Sequence, residues 1–235
     1  MEKNSLIEEI LTIEEGQVFE CKRVLKKPSE VLPTICAFAN TDGGVFVYGL
    51  EDAKKTSGKE RLKGIAEARD NCDELLKLIA NDFVPPLPKI ESNYLDIVNA
   101  QNLEDRLLII SVDASKTVHS LRSGQTYIRR GSQNNLLTHE QAMQLQYEKG
   151  TITFESELAK NVTLKDLDNK AIEEFMNFNK SEEKDILRFF LNNGLAEEVN
   201  GRTYLNNAAV LLFAVNPFVS LKRKCAITII PEKRL

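Results

Sequence analysis

With 235 residues, 42% of them hydrophobic and 28% charged, the chain has the composition of a packed globular protein of one large domain or two small ones. Its net charge of −4 argues against an evenly basic surface that would grip duplex DNA of any sequence. No stretch approaches the roughly 18 apolar residues of a membrane span, and Met1-Glu2-Lys3-Asn4-Ser5 leads into acids without the apolar core of a signal peptide, so a cytoplasmic location and no membrane partner are expected.

The elements follow in chain order. Leu6 to Leu11 reads as a short helix. Val18 to Arg23 alternates as a strand, with Val18, Glu20 and Lys22 on one face and Phe19 and Cys21 on the other. Ser29 is placed to cap a helix whose apolar positions, Val31, Leu32, Ile35, Phe38 and Ala39, keep helical spacing. Pro33 lies early enough in that helix to be tolerated. Asn40 to Gly44 ends it, the paired glycines permitting a tight return, and Val45 to Tyr48 is a buried strand. Glu51 to Ile65, rich in Lys, Gly and Ser, reads as a mobile surface loop.

Leu75, Leu76 and Ile79 mark a helix over 73–82, closed off by Pro85, Pro86 and Pro88. Ile90 to Val98 and Arg106 to Val112 form an antiparallel pair across a polar turn. Gln125 to Arg130 is a further strand, and Thr138 caps a helix reaching about Glu148, with Gly150 at its end. Residues 1–150 are therefore expected as one α+β domain, a mixed, largely antiparallel sheet with helices packed on one side of it. Residues 151–169 are polar, without strong periodicity, and read as a linker or extended arm. A smaller, mainly helical α/β unit is expected over 170–235: helices over 169–177 and 182–191, a turn at Asn200-Gly201, a helix from Asn206 to Phe213 stopped by Asn216-Pro217, and a last strand from Ala226 to Ile230.

Charge is distributed unevenly. Residues 1–150 carry 19 bases and 23 acids, and residues 151–235 carry 12 of each. Yet no acid occurs between Ala114 and His139, where Lys116, Arg122, Arg129 and Arg130 fall. Lys22, Arg23, Lys26 and Lys27 form a second basic cluster, and Lys54, Lys55, Lys59, Arg61 and Lys63 a third. Taken alone, each cluster is the pattern of a solvated face. Arg129, Arg130 and Ser132 admit a phosphate grip through guanidinium and backbone N–H groups around Gly131, or a plain hairpin turn. Cys21, Cys36, Cys72 and Cys225 lack zinc-ligand spacing, and Cys21 and Cys36, in apolar contexts, read as buried thiols. His119 and His139 give no general-base arrangement, and the absence of Trp argues against a base-stacking platform.

Four ordered matches across about 130 residues resemble the Schlafen-type AlbA domain family. Its acid followed by Glu-Phe-Lys is similar to Glu15 and Glu20-Cys21-Lys22, with Cys21 in place of Phe. Its Ala-Phe-Ala-Asn-Thr-x-Gly-Gly stands unchanged at Ala37 to Gly44. Gly49-Leu50-Glu51-Asp52 resembles its Gly-Val-Asp-Asp, and Tyr127-Ile128-Arg129-Arg130-Gly131-Ser132 its Tyr-x-Arg-x-Gly-Ser. Past the domain, Leu205 to Phe213 and Asn216-Pro217 look like the segment that follows it in many bacterial members, with Asn206 and Ala214 departing from the usual Thr and Gly. Such proteins commonly continue further, so a truncated second unit is one expectation.

The resemblance implies a DNA- or RNA-binding protein, a transcriptional regulator or defence-related protein, with Lys22, Arg129, Arg130 and Ser132 at the phosphates. A metal-dependent endoribonuclease is the alternative that it implies. Animal Schlafens that cut structured RNA use two glutamates five residues apart and a later aspartate. These map to Glu15, Glu20 and Asp52, with Glu51 the alternative, as catalytic groups and ligands of Mg²⁺ or Mn²⁺. A plain surface ion pair of Glu20 with Lys22 at a strand edge, with Glu51-Asp52 capping a turn, is the competing reading of the same residues. A protein-interaction module, favoured by the net acidity, is the third function, and homo-oligomerisation is compatible with any of them. The chain has no Gly-x-x-x-x-Gly-Lys-Ser/Thr loop for ATP phosphates.

Overall fold

Helical spacing at the N-terminus produces α1 (Glu2–Thr12), and the alternation that follows produces β1 (Phe19–Lys22). The computed structural model describes residues 2–88 and 90–221 and divides the chain into two units, Met1–Thr151 and Ile152–Leu235. After β1, Pro28–Glu30 form a 3₁₀ turn, and α2 spans Leu32–Asn40 without a side-chain cap, so Ser29 belongs to the turn and not to a helix N-terminus. Pro33 sits in the first turn of α2, where no N–H is required. From Thr34 to Asn40 every residue of α2 is buried, because the helix is covered both by the sheet and by the chain that follows it.

β2 (Gly44–Tyr48) pairs parallel with β1, bringing Glu20 beside Phe46 and Lys22 beside Tyr48. Gly43 has φ +76°, and a Cβ there would lie 2.7 Å from the Val112 carbonyl oxygen; one on Gly44 would lie 2.8 Å from the Phe38 ring. Both glycines are thus required by close approach. α3 (Asp70–Asn81) and the short β3 (Phe83–Val84) lead to β4 (Glu91–Val98) and β5 (Glu104–Val112), an antiparallel pair. β5 also pairs antiparallel with β2, so the sheet order is β1-β2-β5-β4: α+β, mixed and largely antiparallel.

Helices cover both faces of that sheet, not one. Phe46, Tyr48, Leu108 and Ile110 meet Ile35 and Phe38 of α2 and Leu75 of α3, while Phe19, Cys21, Val47 and Leu107 meet Ile10 of α1 on the other face. Alternation along the strands delivers one set of side chains to each core. Beyond the sheet, β6 (Ser120–Leu121) pairs with β3, and β7 (Tyr127–Arg130) pairs with β8 (Gln133–Leu136) across Gly131. α4 (His139–Glu148) follows, and Thr138 caps it in a reciprocal box with Gln141.

The segment 51–65 is a pinned connection and not a mobile loop. Leu62 and Ile65 are buried, and Arg61 is fully enclosed. Its guanidinium donates to the carbonyls of Ile10 (3.2 Å), Leu11 (2.7 Å) and Ile13 (3.1 Å), and through Nε to that of Glu51 (2.9 Å). A cation contributed from a distant loop therefore satisfies the orphan carbonyls at the end of α1.

In the second unit, 151–169 is no free arm either. Ala159, Val162 and Leu167 are buried in its core with Ile172, Phe190, Val210 and Phe213. α5 (Asn169–Phe178) and α6 (Ile186–Asn192) are capped by Asp168 and Asp185. β9 (Ala196–Val199) and β10 (Arg202–Leu205) make the Asn200-Gly201 turn into a hairpin. α7 (Asn207–Phe213) starts on the Asn206 side chain, which accepts from the Ala209 N–H at 3.0 Å, and α8 (Pro217–Leu221) begins at the proline expected to stop it. The strand expected over 226–230, and Cys225, lie outside the described residues. No helix among the described residues is long and apolar enough to cross a membrane.

His119 links this architecture to pH. Buried at 2% exposure, it places Nδ1 2.9 Å from the Pro85 carbonyl and Nε2 2.8 Å from Ser115 Oγ. The carbonyl can only accept, so the proton resides on Nδ1 and the serine hydroxyl donates to Nε2. Burial lowers the imidazole below its usual 6.5; the Pro85 carbonyl opposes this and Lys149 adds to it. The unfolded chain therefore takes up the proton first, and stability that is complete above pH 6.5 falls as the pH drops towards the folded value. Urea unfolding from pH 8 to 5 should show a loss of at most about 1.4 kcal/mol per pH unit from this group, absent in a folded His119→Gln variant.

Candidate functional site

The motif residues meet at the β1 edge of the sheet. Because β1 alternates, Glu20 and Lys22 share a face, and Glu15 folds back over them from the preceding turn. Lys22 Nζ donates to Glu15 Oε1 at 2.7 Å and is ion-paired with Glu20 Oε1. Glu20 Oε2 is in turn ion-paired with Arg129 Nη2. The result is a four-charge chain, Glu15–Lys22–Glu20–Arg129, in which positive and negative groups alternate and cancel. Burial alone would lower Lys22 from its usual 10.5, but hydrogen bonds to Glu15 and Glu20 outweigh it and raise the group, so the ammonium is held charged.

Arg129 is the surprise of the constellation. Expected at the phosphates, it is only 1% exposed and works inside the domain. Nε donates to the Gly16 carbonyl (2.9 Å), Nη1 to Asn134 Oδ1 (2.6 Å) and Nη2 to the Phe19 carbonyl (3.4 Å) and Glu20. Its guanidinium lies 5.2 Å over the Phe38 ring. No donor is offered to solvent, so Arg129 is not a phosphate contact. Arg130, the next residue on the strand, points to the opposite face of the β7–β8 ribbon and is exposed, lining a groove with Leu137, Gln144 and Glu148. A single groove containing Lys22, Arg129 and Arg130 therefore does not form.

Residues 40–42 and Gln17 position this arrangement. Asn40, 1% exposed, donates to the carbonyls of His119 (2.8 Å) and Tyr127 (2.9 Å) and accepts from the His119 N–H (2.8 Å). Thr41 Oγ1 accepts from the Arg129 N–H at 3.1 Å. Together they tie β7 to the end of α2 and aim Arg129 at Glu20. Gln17 completes the seam: its amide nitrogen donates to Asp42 Oδ2 (2.7 Å) and the Arg129 carbonyl (3.2 Å), and its oxygen accepts from the Gly131 N–H (2.8 Å). The Gly131 N–H, expected to face an anion, is thus already committed. Gln17 carried no motif signal, and only its place between Glu15 and Glu20 could have suggested it.

The third acid does not join the other two. Asp52 Oδ1 accepts from the Lys54 N–H at 3.0 Å, closing its own turn, and Glu51 Oε1 pairs with Lys55 at 3.2 Å. Among the described residues, no three His, Cys, Asp or Glu side chains are grouped to hold a metal ion. Glu15, Glu20 and Asp52, expected as ligands, therefore do not form a three-carboxylate Mg²⁺ or Mn²⁺ site, because Asp52 is turned into its own loop. Cys21 lies beside Glu15 and Arg61 as a neutral thiol, pushed up to about 12 first by burial and then by the Glu15 charge. The second and third basic clusters are largely neutralised: Arg23 pairs with Glu67, Lys26 with Glu30, Lys55 with Glu51 and Lys63 with Glu60.

This edge, with its adjacent helix end and hairpin, lies within the region that comparison with known proteins recognises. The sequence model described as "Schlafen, AlbA_2" matches residues 15–138, more than half of the chain. The chain belongs to the Schlafen AlbA_2 family. Among solved structures, it is similar to the DIP2311 protein of Corynebacterium diphtheriae, with 16% identity and a TM-score of 0.43 over 91% of this chain and 45% of that one. This chain therefore spans less than half the length of that protein. It is also similar to the N-terminal domain of the "Putative ATP-dependent DNA Helicase RecG-related Protein" from Nitrosomonas europaea. That match has 22% identity and a TM-score of 0.37, over 48% of this chain and 72% of that one. For the AlbA_2 domain of this chain, the geometry makes Arg129 a structural cation. Removing it leaves buried Glu20 Oε2 without its partner and Lys22 as the one remaining cation on that carboxylate, so Arg129→Ala should cost about 3 kcal/mol in urea unfolding. Arg129→Lys should restore only part of this, because one ammonium cannot replace a fork of donors. Arg130→Ala should stay within about 0.5 kcal/mol of the parent.

Proposed function

We propose that the AlbA_2 domain binds nucleic acid, contacting phosphates through exposed cations on the acid-free segment 114–139 and through Lys22. The observation that carries this reading is the placement of that segment's charges. Lys116, Arg122 and Arg130 are exposed, while Arg129 alone is withdrawn to hold the fold. Ser132 is exposed at the same hairpin turn and supplies a neutral donor. Lys22 spends hydrogen bonds on Glu15 and Glu20 and keeps a third of its side chain exposed, enough to present its charge to a phosphate oxygen. Family membership supports a nucleic-acid ligand. In a transcriptional regulator or a defence protein, such a domain would supply the contact with nucleic acid.

Binding of this kind rests on counterion release, so it should weaken steeply with salt, each neutralised phosphate adding roughly 0.7–0.9 to the log–log slope. Fluorescence anisotropy with labelled tRNA, single-stranded RNA and duplex DNA, all with chelator, tests it. Lys116→Ala with Arg130→Ala should lower affinity similarly for all sequences and flatten the slope by about one to two units. An unchanged slope would place the surface elsewhere. No retention of any nucleic acid at low salt would overturn the reading and leave a protein-interaction module. No cleavage step is proposed, since the described residues bring no third acid to Glu15 and Glu20.

A further inference from the structure

We infer that the Lys22 ammonium is the resident cation of the Glu15–Glu20 pair and keeps divalent metal out of it. Two carboxylates converge on one point, which is the ordinary beginning of a site for a hard cation. Here that point is filled by a covalently attached charge. Lys22 Nζ lies 2.7 Å from Glu15 Oε1 and is ion-paired with Glu20 Oε1. The second oxygen of Glu20 is held by Arg129, and Glu15 Oε1 also takes the Cys21 N–H at 3.4 Å. Three of the four carboxylate oxygens are therefore engaged before any ion arrives.

The charges point the same way. Glu15 and Glu20 are balanced by Lys22 and Arg129, so an incoming Mg²⁺ or Mn²⁺ would meet a neutral cluster containing two fixed cations. In a site that excludes much of the water, such repulsion is felt more strongly than at a surface. Glu20 is 6% and Glu15 11% exposed at the side chain, which limits access by a hydrated ion. Mg²⁺ dehydrates reluctantly and usually binds through one or two carboxylates together with waters. Of the four oxygens, Glu15 Oε2 alone is left over for that purpose. Loading would require Lys22 to swing away from both partners at once.

Removing the lysine charge should therefore create the site that its presence denies. Mn²⁺ alone is the probe, followed through the solution EPR signal of the free ion, on the whole chain. The parent protein should leave Mn²⁺ free up to about 1 mM, whereas Lys22→Met should take up about one equivalent with a Kd lower by tenfold or more. Adding Glu20→Gln to Lys22→Met should abolish the gain. Lys22→Gln serves equally if the methionine variant does not fold. Uptake by the parent that is lost in Glu20→Gln would overturn the assignment, and so would folded Lys22 variants that gain nothing. Mn²⁺ uptake is read without nucleic acid, so its outcome is separate from that of the salt titrations.

Discussion

A buried guanidinium facing a buried carboxylate organises the first unit of this protein. Arg129 and Glu20 come from strands more than a hundred residues apart in sequence, and neither belongs to the same sheet as the other. Desolvating both is unfavourable unless their geometry is complete. The chain completes it with carbonyls from Gly16 and Phe19, the Asn134 side chain and the ring of Phe38. The small β7–β8 ribbon has no core of its own, and this pair fastens it against β1 and α2. A pair that is costly to half-break specifies one docking position for the ribbon where a purely apolar contact would allow several.

The Asn-Thr-x-Gly-Gly stretch takes its meaning from the same constraint. Asn40 and Thr41 satisfy backbone groups of the 118–129 chain that no sheet neighbour reaches, and Gly43 and Gly44 let α2 turn into β2 against Val112 and Phe38. These motif residues therefore build the scaffold, and in the proposed reading a phosphate would be met by side chains they leave outside, Lys22, Arg130 and Ser132 among them. Lys22 stands at the boundary, half structural and half exposed.

Much of the fold was legible in the sequence because it is written in local periodicity. α2, β2, α3 and the β4–β5 pair announce themselves by apolar spacing and turn residues, and α4 by the capping chemistry of Thr138. What was not legible depended on distant partners. Arg129 and Arg130 look identical in a string, and only the ribbon's pleat and its docking separate a buried cation from an exposed one. Arg61 sat among lysines and read as loop charge, since nothing local reveals that the end of α1 lies above it. Short pairings such as β3 with β6 carry too few residues to show a period. The Glu20–Lys22 pair and a turn at Glu51-Asp52 were readable as the plain alternative to a metal site; the reach of Glu15 over Lys22 and the burial of Glu20 against Arg129 were not.

Arg61 bears on how the protein can be divided. The family match begins at residue 15, which makes that residue an inviting cut site for expressing the domain alone. Yet the carbonyls of Ile10, Leu11 and Ile13 are three of the acceptors that hold the Arg61 guanidinium in the interior. A fragment begun at residue 15 would strand a positive charge beneath Cys21 and Glu51 and strip one face of the sheet of its cover. The recognisable unit of ancestry is thus shorter than the unit that can fold, and α1 belongs to the latter.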